Sequence, residues 1–171
     1  MTNYYPELPI VPFHRTPVPL TTLTSIIATA NATTAVKRMA YVMLRNESAN
    51  GSAINNNNPA GIQADSGRWS GTHPYAGVFI KRENGTNLVR YFLAFTSLLD
   101  AVNFTCERLL ARGLYMGGTP HKIYKGLISN VDQLADAYIE EWVRGSATAH
   151  PSPAELSNFK SMYAQAVTKF V

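Results

Sequence analysis

Acidic side chains are scarce in this chain. Its 171 residues carry 11 Asp and Glu against 15 Lys and Arg, a formal charge of +4, and charged residues are only 15% of the total. No basic run or glycine–aromatic signature accompanies that excess. A nucleic-acid partner is therefore excluded, and charge implies only a mild preference for anionic partners. Cysteine is nearly absent: with Cys106 alone, no internal disulfide can form and a cysteine-ligated zinc site is excluded. Beside Phe104, Leu109 and Leu110, Cys106 reads as a small buried apolar residue. The four histidines, His14, His73, His121 and His150, share no metal-ligand spacing. No apolar run approaches the length of a membrane span. The opening stretch, MTNYYPELPIVPFHRTPVPL, lacks the basic segment and apolar run of a secretory leader.

What is present is enough apolar material to fold. Hydrophobic residues make up 46% of the chain, and the length suits one domain with a sizeable core. Pro6, Pro9, Pro12, Pro17 and Pro19 forbid a helix at the start, so residues 1–20 read as an extended arm and residues 21–171 as a single domain. Short helical signals cover 21–31, and a stronger one runs from Thr34 to Asn46. Residues 50–74 read as a long ordered loop. Asn84-Gly85 between two β-prone arms predicts a hairpin. Ser97 with Asp100 starts the next helix, whose buried stripe is Leu99, Val102, Cys106 and Leu109. Asn130 with Gln133 starts another, with Leu134, Tyr138, Ile139 and Trp142 inward. Ser152-Pro153 with Glu155 opens the last, striped by Leu156, Phe159, Tyr163, Val167 and Phe170. The sum is five helices and one hairpin, an α+β chain that is mostly helical.

With so few acids, elimination is informative. Glu7 lies in the arm. Asp100, Asp132 and Glu155 sit at helix starts, where a carboxylate meets free N–H groups. Glu107, Asp136, Glu140 and Glu141 fall within helices and are expected on solvated faces. Glu47, Asp65 and Glu83 remain. Glu47 follows Val36, Ala40 and Met43 at helical spacing, about three turns from Val36, so it should continue the apolar stripe. Desolvation there favours the protonated form, which a general acid needs. The alternative is a helix-end glutamate held by Arg45 or by loop amides. Asp65 is either a second carboxylate or a turn cap with Ser66 and Gly67. Glu83, at the mouth of the Asn84-Gly85 turn, is either a second carboxylate or a surface charge.

RNES at 45–48 followed by NNNNPAGIQAD at 55–65 resembles the lysozyme-like superfamily, with the Gly61-Ile62-Gln63 segment similar to that of goose-type lysozymes and lytic transglycosylases. The second half is closer in pattern to peptidoglycan β-N-acetylglucosaminidases of the flagellar and autolysin type. There NNNNPAGI, KRENGTNLVRYFLAFTS and LLDAVNFTCERLL stand in the family's order, and the likeness spans residues 33–145. The resemblance implies a lysozyme-like fold with a small β-hairpin lobe, no cofactor and no metal. It implies cleavage of peptidoglycan glycan strands, by an N-acetylglucosaminidase, a muramidase or a lytic transglycosylase, with Glu47 as general acid and Glu83 as the hairpin glutamate. Tyr124 stands for the family's late tyrosine, although HKIYKG around it departs from the pattern.

A glycan cleft needs aromatic faces and amide side chains, and the 55–75 region offers Asn57, Asn58, Gln63, Trp69 and Tyr75 as substrate contacts. Trp69 serves equally well as a core anchor. With no leader in view, delivery to the wall is expected through a carrier, a phage virion, a holin or a secretion system. The rival expectation is a non-catalytic wall-binding or virion module of the same fold.

Overall fold

The computed structural model describes residues 2–83 and 87–171. Among them the chain forms helices α1 (Leu20–Thr29), α2 (Thr34–Glu47), α3 (Leu98–Arg112), α4 (Val131–Tyr138) and α5 (Pro153–Lys169). It adds a π-helical turn, Ile139–Val143, and two antiparallel strands, β1 (Tyr75–Arg82) and β2 (Val89–Phe95). The arrangement is α+β and mostly helical. The chain divides into two compact units: Met1–Ile26 with Leu44–Phe104, and Ile27–Met43 with Thr105–Val171. The Asn84-Gly85 turn lies outside the described residues.

In the first unit the proline-rich arm is extended, as its composition requires, and it is bonded down along its length. Val11 N–H donates to the Val78 carbonyl (2.9 Å) and Val78 N–H to that of Pro9 (2.9 Å). Further along, Thr16 N–H reaches Ile54 O (2.9 Å) and Val18 N–H reaches Gly51 O (3.1 Å). The approach is close enough to dictate a residue: a Cβ on Gly77 would stand 2.5 Å from the Pro9 carbonyl oxygen. On the other side of the hairpin, Leu93 N–H donates to Ile62 O (3.0 Å) and Ala64 N–H to Tyr91 O (2.8 Å). Both edges of β1–β2 are therefore paired. Phe79 and Phe92 face each other in register and stack at 5.5 Å, with Ala94 and Val11 against them.

The second unit is built from helices that begin where the caps predict. Asn130 Oδ1 accepts Gln133 N–H (2.9 Å), while the Gln133 amide oxygen turns back to Ser129 N–H (2.9 Å). Ser152 and Glu155 close a full capping box at α5. Tyr138 meets Phe159 at 5.8 Å, and Lys160 pairs with Asp132 at 2.6 Å. Arg38 Nε donates to the Phe170 carbonyl (2.9 Å), and Tyr41 packs edge-on to the Phe170 ring at 5.7 Å.

Three expectations are corrected here. Leu99 is exposed and Leu98 is the buried residue, so the stripe of α3 begins one position earlier. Val167 of α5 is exposed as well. Most consequentially, Glu140 and Glu141 are buried, not solvated. The reason is the π-helical turn, in which Arg144 N–H bonds the Ile139 carbonyl five residues back (2.9 Å). The wider turn shifts the faces, bringing both glutamates inward and leaving Val143 outside.

Candidate active site

Helix α2 carries Glu47 at its last position. Thr33 Oγ1 accepts Val36 N–H to start the helix (3.4 Å), and every residue from Met39 to Leu44 is buried. Burial of this kind stabilises by about 1.5–3 kcal/mol per large apolar side chain. It also corrects the desolvation expected for Glu47. The apolar stripe is in fact a full circumference that ends at Leu44, and Asn46 and Glu47 emerge into solvent. Burial resumes at Ser48, whose hydroxyl donates to Leu44 O and accepts Gly51 N–H (2.9 Å).

The chain reverses at once through three consecutive left-handed residues, Ala49 (φ 48°), Asn50 (φ 58°) and Gly51 (φ 94°). A Cβ on Gly51 would stand 2.4 Å from the Val18 carbonyl oxygen, so only glycine fits. Alanine in the left-handed region costs roughly 1–2 kcal/mol. Arg45 Nε donates to Asn50 Oδ1 (2.8 Å) and Asn50 N–H to Arg45 O (2.9 Å), so the reversal is clamped beside the carboxylate.

The asparagine run has a different occupation from the one expected. Asn56 (φ 46°) and Asn57 (φ 55°) are also left-handed, a conformation asparagine tolerates. Asn56 is buried and binds the arm, through His14 N–H (3.0 Å) and Pro12 O (2.9 Å). Asn57 Nδ2 donates to Phe95 O (3.2 Å). Asn58 is buried, donating to Ile62 O (2.9 Å) and Leu93 O (2.8 Å) and accepting Ile62 N–H (2.9 Å). Burial and three main-chain bonds leave Asn58 no amide to offer a sugar, whereas Asn57 is only partly buried. These side chains satisfy main-chain groups of a loop that has little regular structure to do so.

Gln63, Asp65 and Glu83 are brought together. Gln63 Nε2 donates to Glu83 Oε1 (3.1 Å), and Arg90 of β2 donates to Gln63 Oε1. Arg90 Nε pairs with Asp65 Oδ1 at 3.3 Å, and Asp65 Oδ2 accepts Tyr91 N–H (3.3 Å). The Asp65 side chain is only 4% exposed. Neither turn cap nor free acid, Asp65 is the buried counter-ion of Arg90. Arg90 was not anticipated, and nothing in its sequence neighbourhood distinguishes it from Lys81 or Arg82.

Trp69 and Tyr75 belong to an aromatic cluster. Trp69 packs edge-on to Phe104 (5.7 Å), its indole N–H donates to Gln63 O (3.0 Å), and its backbone N–H donates to the Tyr5 hydroxyl (2.7 Å). Tyr75 meets Tyr5 (5.6 Å) and Phe95 (5.5 Å) edge-on. Each is half-buried, so a face is engaged in packing.

Tyr124 belongs to the second unit. Burial raises its hydroxyl above the ordinary range, with Asp136 and Glu140 adding to the effect. Its backbone N–H (2.9 Å) and that of Ile123 (2.6 Å) both donate to Glu141 Oε1. The other oxygen, Oε2, is buried with no hydrogen-bond partner among the described residues. Glu141 is therefore the acid that elimination missed. A signal existed, because Leu134, Tyr138 and Glu141 recur at helical spacing on one face.

No group of three or more His, Cys, Asp or Glu among the described residues is placed to hold a metal ion. No described helix is long and apolar enough to cross a membrane. No protein-family model matches the chain, and no curated protein does. Among solved structures, a C-terminally truncated glycoside hydrolase domain of FlgJ from Salmonella typhimurium is similar over 87% of this chain and 93% of that one. The identity is 17% and the TM-score 0.45, a likeness too distant to carry an argument about this chain.

Proposed function

We propose that this chain cleaves the glycan strand of peptidoglycan, as an N-acetylglucosaminidase or a muramidase, with Glu47 as general acid and Glu83 as the second carboxylate. The observation that carries the reading is the setting of Glu47. It is an exposed carboxylate at the end of a helix buried from Met39 to Leu44, followed by a reversal through Ala49, Asn50 and Gly51 in which Ala49 holds a costly left-handed conformation. Strain of that kind persists where the surroundings enforce it, and it clusters at functional positions. A general acid must be reachable by the glycosidic oxygen, and Glu47 is exposed beside a reversal clamped by Arg45 and Asn50.

Glu83 suits the complementary role because its carboxylate is held by a side chain and its backbone by the strand end: N–H to Leu88 O (2.8 Å), O from Asn87 N–H (3.1 Å). Asp65, committed to Arg90, is the weaker candidate. The test is mass spectrometry of muropeptides after incubating purified wall with the protein. New reducing ends at N-acetylglucosamine or N-acetylmuramic acid support hydrolysis and name the bond. Anhydro ends reassign the chain to transglycosylation. Bound but uncut glycan reassigns it to a wall-binding module.

A further inference from the structure

The contacts around Glu83 have a fixed polarity. Arg90 can only donate, so the Gln63 amide oxygen must face it. The Gln63 NH2 is then forced toward Glu83, where a carboxylate accepts it. Arg90 is itself ion-paired, without hydrogen-bond geometry, to the buried carboxylate of Asp65, which Tyr91 N–H holds from the β2 backbone. Gln63 is fixed further by its own main chain, whose carbonyl accepts the Trp69 indole N–H. Each member thus has a partner that sets its direction, from the β2 backbone outward to Glu83.

We propose that Gln63 and Arg90 are positioning residues that hold Glu83 as a hydrogen-bond acceptor, the form in which a carboxylate serves as base or nucleophile, leaving the proton-donating role to Glu47. This rests on the hydrolase reading above. Asp65 acts only through Arg90. Gln63 is accordingly not a sugar contact, because both ends of its amide are taken by protein partners.

The test combines kinetics on purified wall with NMR of the Gln63 side-chain amide in the intact protein. Glu83→Gln is expected to lower kcat on the order of 10² to 10⁴-fold. Gln63→Glu keeps the shape but sets a like charge against Glu83, and is expected to lower kcat about 10 to 10²-fold with KM nearly unchanged. The double variant should be no slower than Glu83→Gln alone, since Gln63 acts only through Glu83. Arg90→Lys, which keeps the charge but lacks the planar fork, should show a smaller loss than Arg90→Met. The Gln63 NH2 resonances should move in Glu83→Gln.

Additive losses in the double variant, or full kcat in Gln63→Glu with unmoved resonances, overturn the proposal and leave the hydrolase reading standing. Full turnover in Glu83→Gln, with Glu47→Gln inactive, overturns the proposal and keeps Glu47. If the wild-type protein cuts no bond in wall, the hydrolase reading fails and the positioning role fails with it, whatever the resonances do.

Discussion

Asn58 reaches across from the loop to β2: its Nδ2 donates to the Leu93 carbonyl at 2.8 Å while its Oδ1 takes the Ile62 N–H at 2.9 Å. One buried amide thus ties the loop that follows Glu47 to the strand that carries Arg90. Asn58→Ala leaves the Ile62 N–H and the Leu93 carbonyl to find new partners away from water, while the Ile62 carbonyl keeps the Leu93 N–H. At about 1–3 kcal/mol for each such group, partly relieved by rearrangement, a total loss of about 2–4 kcal/mol is expected. Chemical denaturation checks it, and a loss under 1 kcal/mol would show that water replaces the amide.

Gly51 and Gly61 form a matched pair of left-handed glycines, at φ 94° and 60°. A Cβ on Gly51 meets the Val18 carbonyl, whereas one on Gly61 meets nothing within 4 Å. Gly61→Ala should therefore cost about 1 kcal/mol, the conformational term alone. Gly51→Ala should cost clearly more, and should also lower wall lysis because the reversal beside Glu47 must shift. Equal destabilisation of the two variants would argue that the Val18 contact is soft.

Glu47→Gln should fold normally, since the side chain is exposed, and lose wall lysis on the order of 10² to 10⁴-fold. Thermal unfolding and turnover measured on the same preparation separate the two effects. Near-normal turnover by the folded variant removes Glu47 from the mechanism.

Glu141 gives a structural contrast. Glu141→Gln retains an acceptor for Ile123 and Tyr124 N–H, whereas Glu141→Leu strands both in a buried site. The leucine variant should be the less stable by about 2 kcal/mol or more. Hydrogen exchange at those two amides should quicken in it and stay slow in the glutamine variant.

Cys106 supplies a pH dependence. Burial pushes its thiol from the ordinary 9 up to about 12. Above pH 9 the unfolded chain loses this proton while the folded one keeps it, so the thiol's contribution to stability falls as pH rises, through the window from 9 to 12. The slope is at most about 1.4 kcal/mol per pH unit. The stability of wild type relative to Cys106→Ala should decline across that window and be level below it. In the folded protein, alkylation at pH 8 should be slow, because the thiolate is the nucleophile.

The local grammar of the chain was legible and the tertiary assignments were less so. Ser97, Asn130 and Ser152 announced helix starts because a cap is chemistry between near neighbours. Glu141 was misjudged although it continues the Leu134–Tyr138 spacing, because its partners, the Ile123 and Tyr124 N–H groups, lie in a separate loop, and the burial of Glu140 beside it accompanies a π-helical turn that no local pattern announces. The four asparagines were visible as amides, but Asn56 and Asn57 serve the backbone's need for left-handed residues, and Asn56 and Asn58 its need for main-chain partners. Glu47 was singled out by its spacing, and its exposure followed from where the burial of α2 stops, which depends on what surrounds the helix. The meeting of Gln63 with Glu83 joins residues 20 apart through a hairpin register that becomes definite only once β1 and β2 pair.

The arm has a consequence for how the chain is made. His14 bonds Asn56, 42 residues later, and Tyr5 bonds Trp69, 64 residues later. Synthesised before its partners, the arm has none of them until most of the first unit has left the ribosome. Its prolines suit that wait, since a stretch that cannot form a helix and lacks several N–H donors is a poor template for pairing with another nascent chain. Closing such distant contacts makes docking of the arm a late and slow event. A refolding experiment should therefore find the hairpin protected from exchange before Val11 and Thr16, and a protein lacking residues 1–18 should stall with Gly51, Ile54 and Val78 unpaired.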